Sequence, residues 1–184
     1  MYYLMFNKEF WDFDENKNFT IIKVNNNSYK VINKWSNHIE AANILDSIHN
    51  IINKMCLYLI ENYFKYSKKD RIAITCFLDI HLNNYKLSEM QLNTNFNGIN
   101  KPRDIFLSHD EELGSDGKYR AKWRHVFLTL RKKNGEFRTG GNIMNLVIHE
   151  ITHTMCNHIR WRDDDHNEDF KYYEKFLYSV LNKI

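Results

Sequence analysis

The stretch Gly140-Gly-Asn-Ile-Met-Asn-Leu-Val-Ile-His149-Glu150-Ile-Thr-His153-Thr-Met155 decides how the chain is read. Met144, Val147, Ile148, Ile151 and Met155 recur at helical spacing and form an apolar stripe. Gly140-Gly141 breaks the preceding segment, and Asn142 is the expected N-cap. In such a helix His149 and His153 lie one turn apart, about 6 Å along the axis, on a face away from the stripe. Two imidazoles so placed can reach one Zn²⁺ from the same side. Glu150, next to the first, is positioned to act as general base on a water at the metal's open position. Three fixed residues in five arise by chance, so the surroundings must support the pattern. A surface helix with two incidental histidines would leave Glu150 and the following segment unexplained.

A catalytic zinc takes three protein ligands and keeps one position open. His166 is the expected third. Trp161-Arg-Asp-Asp-Asp-His166 reads as a polar turn, because three successive Asp residues are poor helix formers. The chain would leave the helix between His158 and Trp161 and fold back. His158 as a ligand would point about 140° away from His153 on a continuing helix. Cys156 shares the face but lies about 10.5 Å from His149 along the axis, too far for both to bind one ion. It reads as a small core residue or one behind the ligands. Glu168 and Glu174 are the carboxylate alternatives.

These residues resemble the SprT-like and WLM-type zinc metallopeptidases, which join H-E-x-x-H to a downstream His and then an aromatic opening a closing helix. Here these are His149 to His153, His166 and Phe170. Upstream, Gly98-Ile99-Asn100, Val126 to Arg131 and Gly135-Glu-Phe137 resemble the WLM order of a G-[LI]-N turn, an apolar strand ending in Arg, and a loop into the zinc helix. The resemblance covers about residues 96–178. The spacing from His153 to His166 is nearer to SprT-like members, and Asn167 stands where those often carry Gly. What it implies is a zincin-like fold, Zn²⁺ as cofactor, and protein or peptide substrates, including proteins bound or crosslinked to DNA. It also implies that an edge strand before the zinc helix pairs with extended substrate. Val126, Phe127, Leu128, Thr129 and Leu130 match that position, and the physics is strand addition.

At 184 residues the chain suits one domain with a proper core. Hydrophobic residues at 43% and charged residues at 27% suit a soluble globular protein, and the usage of Asn, Lys, Ile and Tyr suggests an AT-rich genome. A net charge of +3 does not demand a polyanionic partner. Three cysteines with no C-x-x-C pair argue against a disulfide framework or a zinc ribbon and for a reducing compartment. The N-terminus does not read as a secretory signal, and no apolar run is long enough for a membrane span. The expected location is intracellular, in cytoplasm or nucleus, with a viral origin among the options.

Residues 1–18 read as an aromatic, acidic arm, and Phe19–Val24 with Tyr29–Ile32 as a hairpin. A long backing helix is expected over 37–66, capped by Ser36 or Asn37. Arg71 to Ile80 alternates as a strand, with a short helix as the alternative. Residues 83–97 read as an Asn-rich loop, 105–107 as a short strand, and 109–117 as an acidic loop. Lys118, Arg120, Lys122, Trp123 and Arg124, with Tyr119, interleave cations and aromatics as single-stranded nucleic-acid surfaces do. A solvated strand edge with two core aromatics is the plainer reading of the same residues. Lys132 to Gly135 reads as a turn from which Phe137 returns, and about 167–183 as an amphipathic closing helix opened by Phe170.

The expectation is one α+β domain spanning 1–184: a small twisted sheet, a long backing helix, the H-E-x-x-H helix and the closing helix. In it Glu150 takes the water's proton and passes it to the leaving nitrogen. Arg138, Tyr119, His125 and Arg160 are oxyanion donors by chemistry alone, and Asp163 to Asp165 are candidates to orient a ligand imidazole. The competing expectations are a zinc-stabilised module that binds DNA or protein with little proteolysis, and a structural protein without metal. Oligomeric state is not encoded in any motif.

Overall fold

Backing helix α1, His38–Asn62, buries Ala41, Ala42, Leu45, Ile48, Ile52, Met55 and Leu59 at three- and four-residue steps, so its stripe faces a sheet. The computed structural model describes residues 18–82, 85–91, 97–102, 111–113, 119–121, 124–157 and 166–184. The expected N-terminal arm and the 105–107 strand lie outside them. A short 3-10 turn over Tyr63–Lys65 closes the helix. Asn37 precedes α1, but its side chain makes no capping bond, because it accepts from Arg131 instead.

Before α1, β1 (Phe19–Val24) and β2 (Asn27–Ile32) pair antiparallel as expected, around a turn in which Asn25 has φ 52°. After it, the structure departs from the expected strand at 71–80. Residues Lys68–His81 form helix α2. Ser67 caps it, accepting from Asp70 N, while the Ser67 hydroxyl donates to the Asp70 carboxylate at 2.6 Å. The buried set Asp70, Ala73, Ile74, Cys76, Phe77, Ile80 and His81 has helical period, and Ile72, the first of the alternating isoleucines, is exposed.

The stretch expected as loop at 83–97 contains strand β3, Tyr85–Glu89. Gly98–Pro102 is strand β4 rather than a turn. Within the expected acidic loop, Glu111–Leu113 forms β5, paired with β6, Tyr119–Ala121. Strand β7, Arg124–Leu128, completes a five-stranded mixed sheet in the order β1-β2-β3-β7-β4. β7 runs parallel to β3 on one side and antiparallel to β4 on the other. It is therefore an interior strand, and the expectation that Val126 to Leu130 form a substrate-pairing edge is overturned, since both sides of its backbone are occupied. Among the described residues the edge on that side is β4.

Val126 and Leu128 point into the helical core with α1 residues, whereas His125 and Phe127 alternate to the opposite face. Glu89 is the charged residue in β3 that points inward. Its carboxylate accepts from Arg131 Nε at 2.7 Å and from Ile32 N at 2.9 Å. Arg131 also donates to Asn37 and to the Gly135 carbonyl. The expected turn at 132–135 is present, with Gly135 at φ 86°, and Arg131 bridges Phe137. A Cβ at Gly135 would stand 2.5 Å from the Trp35 ring, so both its φ and its space require glycine.

Helix α3, Gly140–Met155, buries Val147, Ile148, Ile151 and Met155 of the stripe read from sequence, with Ile143 beside them, while Met144 is half-buried. Its cap is Thr139, which accepts from Asn142 N, rather than Asn142 itself. It ends at Met155, and Asn157 turns the chain with φ 55°. Helix α4, Glu168–Leu181, packs against α3 through Phe170, Tyr173, Leu177 and Val180. The described residues thus form an α+β fold of one five-stranded sheet, a two-stranded ribbon and four α-helices. No helix among them is long and apolar enough to cross a membrane.

Candidate metal centre

α3 places His149 and His153 on one face, and the start of α4 brings His166 to them. Asn167 caps α4 by accepting from Phe170 N at 3.0 Å, which fixes where the chain emerges just after His166. One ligand nitrogen from each of the three histidines lies within 4.8 Å of the others. His149 Nε2 and His166 Nε2 are 3.1 Å apart, close to the roughly 3.3 Å between two nitrogens on one tetrahedral zinc. The Phe170 ring, buried as expected, forms one wall, its centroid 5.0, 4.8 and 4.7 Å from those of His149, His153 and His166.

Glu174, one turn along α4 from Phe170, meets His149 Nδ1 at 3.1 Å. If Nδ1 carries the proton donated to that carboxylate, the Nε2 lone pair faces the other imidazoles, the tautomer a metal ligand needs. Burial holds His149 below the ordinary imidazole value. Glu174 pulls it upward and His166 adds to the lowering. Neutral imidazoles, one oriented by a carboxylate, are a donor set that suits zinc. In the sequence Glu174 stands only as an alternative carboxylate ligand, and the structure gives it this orienting contact instead.

The other candidates sort themselves by placement. Glu168 is exposed and pairs with Lys171 at 2.7 Å. The Cys156 thiol is pushed up to about 12 by burial, so it stays protonated near neutrality. His158, Arg160 and Asp163 to Asp165 lie outside the described residues. Among the oxyanion candidates, Arg138 donates to Asn97 Oδ1 at 2.7 Å, beside the start of β4. His125 meets Ser88 Oγ at 2.7 Å on the sheet face turned away from the helical core. Tyr119 lies in β6.

Glu150 is 4% exposed, and burial pushes its carboxyl up to about 8, against the lowering effect of a hydrogen bond from the Asn100 backbone N–H. A Cβ at Gly98 would stand 2.5 Å from Glu150 Oε1 and 2.7 Å from Leu146, so β4 approaches this carboxyl through a glycine. Behind it lies a buried polar cluster. Asn100 Nδ2 donates to the Glu150 carbonyl and, at 2.9 Å, to Thr154 Oγ1. Arg124 Nη1 donates to Asn100 Oδ1 at 3.2 Å, and His81 Nε2 lies 3.1 Å from Thr154 Oγ1.

Arg124 is therefore not part of a basic surface. It is 1% exposed and belongs to the interior behind α3, a correction to its expected role in nucleic-acid contact. Of the other residues assigned that role, Lys118, Lys122 and Trp123 lie outside the described residues, and Arg120 pairs in register with Glu112 in the ribbon. Comparison of the chain with protein-family models, with curated proteins and with solved structures finds no match.

Proposed function

We propose that the chain is a zinc-dependent metallopeptidase of the zincin type, hydrolysing peptide bonds in protein substrates. The observation that carries this reading is the convergence of His149, His153 and His166 beside a buried Glu150 on the same helix. A zincin architecture is supported by the H-E-x-x-H helix packed along an edge strand and by a third histidine at the mouth of a closing helix.

The three imidazoles would hold the zinc, with Glu174 fixing the tautomer of His149. Zinc in such a set supplies Lewis acidity, which polarises a carbonyl and acidifies a water. Glu150 accepts the water's proton at a carboxylate oxygen and returns it to the leaving nitrogen. A carboxyl raised toward neutrality is suited to both transfers. Phe170 keeps solvent from one side of the imidazoles. Strand addition by substrate belongs, on this reading, to β4 rather than β7. Substrates bound to DNA rest on the sequence resemblance, and the burial of Arg124 removes one of the five cationic and aromatic residues assigned to that contact.

Elemental analysis of the parent protein, His166→Ala and His158→Ala, with casein hydrolysis alongside, tests the assignment. About one zinc per chain is expected, lost or much weakened only in His166→Ala. Glu150→Gln should keep its zinc and lose turnover. A zinc-free parent after reconstitution would refute the metal site. A zinc-replete parent with no activity on any protein would leave the binding-module alternative.

A further inference from the structure

Asn100, in β4, meets Glu150 at two points. Among the described residues β4 is an edge of the sheet, and its backbone groups alternate between facing β7 and facing outward. Leu128, in register with Gly98, gives its carbonyl to Met90 on the β3 side, while Thr129 N donates to Asn97 O at 2.9 Å. Asn97 thus bonds across the pair, and Gly98 and Asn100 present their backbone groups outward. An outward N–H on an edge strand has no partner in its own sheet. That of Asn100 finds the Glu150 carboxylate.

The side chain grips the same residue from the other end. Nδ2 donates to the Glu150 carbonyl and to Thr154 Oγ1, so it ties the turn of α3 from Glu150 to Thr154 to the strand. Its own orientation is fixed by Arg124, since Oδ1 must face the guanidinium and Nδ2 the helix. Asn is the fitting side chain here, because it offers an acceptor to Arg124 and two donors to α3. The glycine two residues earlier leaves the carboxylate the space to lie against the strand.

We propose that Asn100 is the positioning residue for Glu150. Its backbone N–H engages one carboxylate oxygen and leaves the other for the water, while its side chain fixes the height of the helix turn against β4. The proposal rests on the peptidase reading for its kinetic consequence, though not for the contact itself.

Asn100→Asp keeps the shape and the acceptor for Arg124, and turns an oxygen toward the Glu150 carbonyl in place of a donor. The expected result is one zinc per chain bound within about threefold of the parent affinity, KM within about threefold, and kcat lower by roughly 100-fold, the scale of a misplaced catalytic group. A kcat within threefold of the parent overturns the proposal. So does a loss of kcat matched by loss of zinc, which would make Asn100 a folding residue only. Hydrogen exchange of the Asn100 amide in zinc-free protein decides the contact without turnover, and stands if Asn100→Asp does not fold. Exchange at least about tenfold faster in Glu150→Ala than in the parent supports the clamp, because the edge N–H then loses its acceptor among the described residues. An unchanged rate overturns it. A parent inactive on every protein would refute the peptidase reading while the exchange result still judges Asn100.

Discussion

His149 works with both ring nitrogens. Nδ1 meets Glu174 and Nε2 faces His166, so the same ring links α4 to the candidate metal centre. Carboxylates in this position orient the ring and raise its basicity, and their loss typically costs 10- to 100-fold in metal affinity. Glu174→Ala should weaken zinc by about that factor in competition with a chromophoric chelator. Glu174→Gln, which can still accept from Nδ1, should lose less. Equal affinity in the parent and Glu174→Ala would show that the 3.1 Å contact does not orient the ligand. The histidine pair is legible in the sequence, because helical spacing alone puts His149 and His153 on one face. Glu174 was not, because its role depends on how α4 lies across α3, which no local pattern encodes.

At the scale of elements, β3 and α2 escape a local reading for different reasons. β3 reads as loop because Glu89 occupies a core position and breaks the apolar alternation. That position is tolerable only because Arg131, 42 residues away, supplies the countercharge at 2.7 Å. The edge position of Val126 to Leu130 is implied by the resemblance alone, and β3 and β4, which occupy both sides of β7, carry no apolar alternation to oppose it. α2 was missed because isoleucines at 72, 74 and 80 mimic a two-residue period. Ser67 with Asp70 three residues on was the local sign of a helix start. The helices α1, α3 and α4 and both hairpin turns were legible because their periodicity or turn chemistry is local. The Glu89–Arg131 pair also joins β3 to the 131–137 hairpin and the start of α1. Removing one partner leaves a buried charge, so Arg131→Met should cost about 3–5 kcal/mol in urea unfolding at an unchanged m-value. The double variant Glu89→Met with Arg131→Met should recover much of that loss. A single variant within 1 kcal/mol of the parent would mean water reaches the pair.

For the whole molecule, two buried ionisable groups set against α3 pull the stability of the zinc-free protein in opposite directions. His81 is fully buried, and burial together with the nearby Arg124 charge lowers its value from 6.5 to about 3. Between those values the unfolded chain binds a proton that the folded chain does not. Stability therefore rises with pH there, by up to about 1.4 kcal/mol per unit. Glu150 is raised from 4.5 to about 8 by burial. Between those values the folded protein keeps a proton that the unfolded chain has lost, and stability falls with pH at a similar limiting slope. The two effects oppose each other between about pH 4.5 and 6.5, which leaves a plateau flanked by an acid and an alkaline decline. His49 and His149 shift in the direction of His81, and Glu89 in that of Glu150, so single substitutions are needed to isolate each proton. In urea titrations of zinc-free protein from pH 3 to 8, His81→Gln should make the acid decline shallower, and Glu150→Gln should do the same for the fall between pH 6.5 and 8. If Glu150→Gln keeps the parent's slope in that window, the alkaline fall belongs to another group and the Glu150 carboxylate is already ionised in the folded protein.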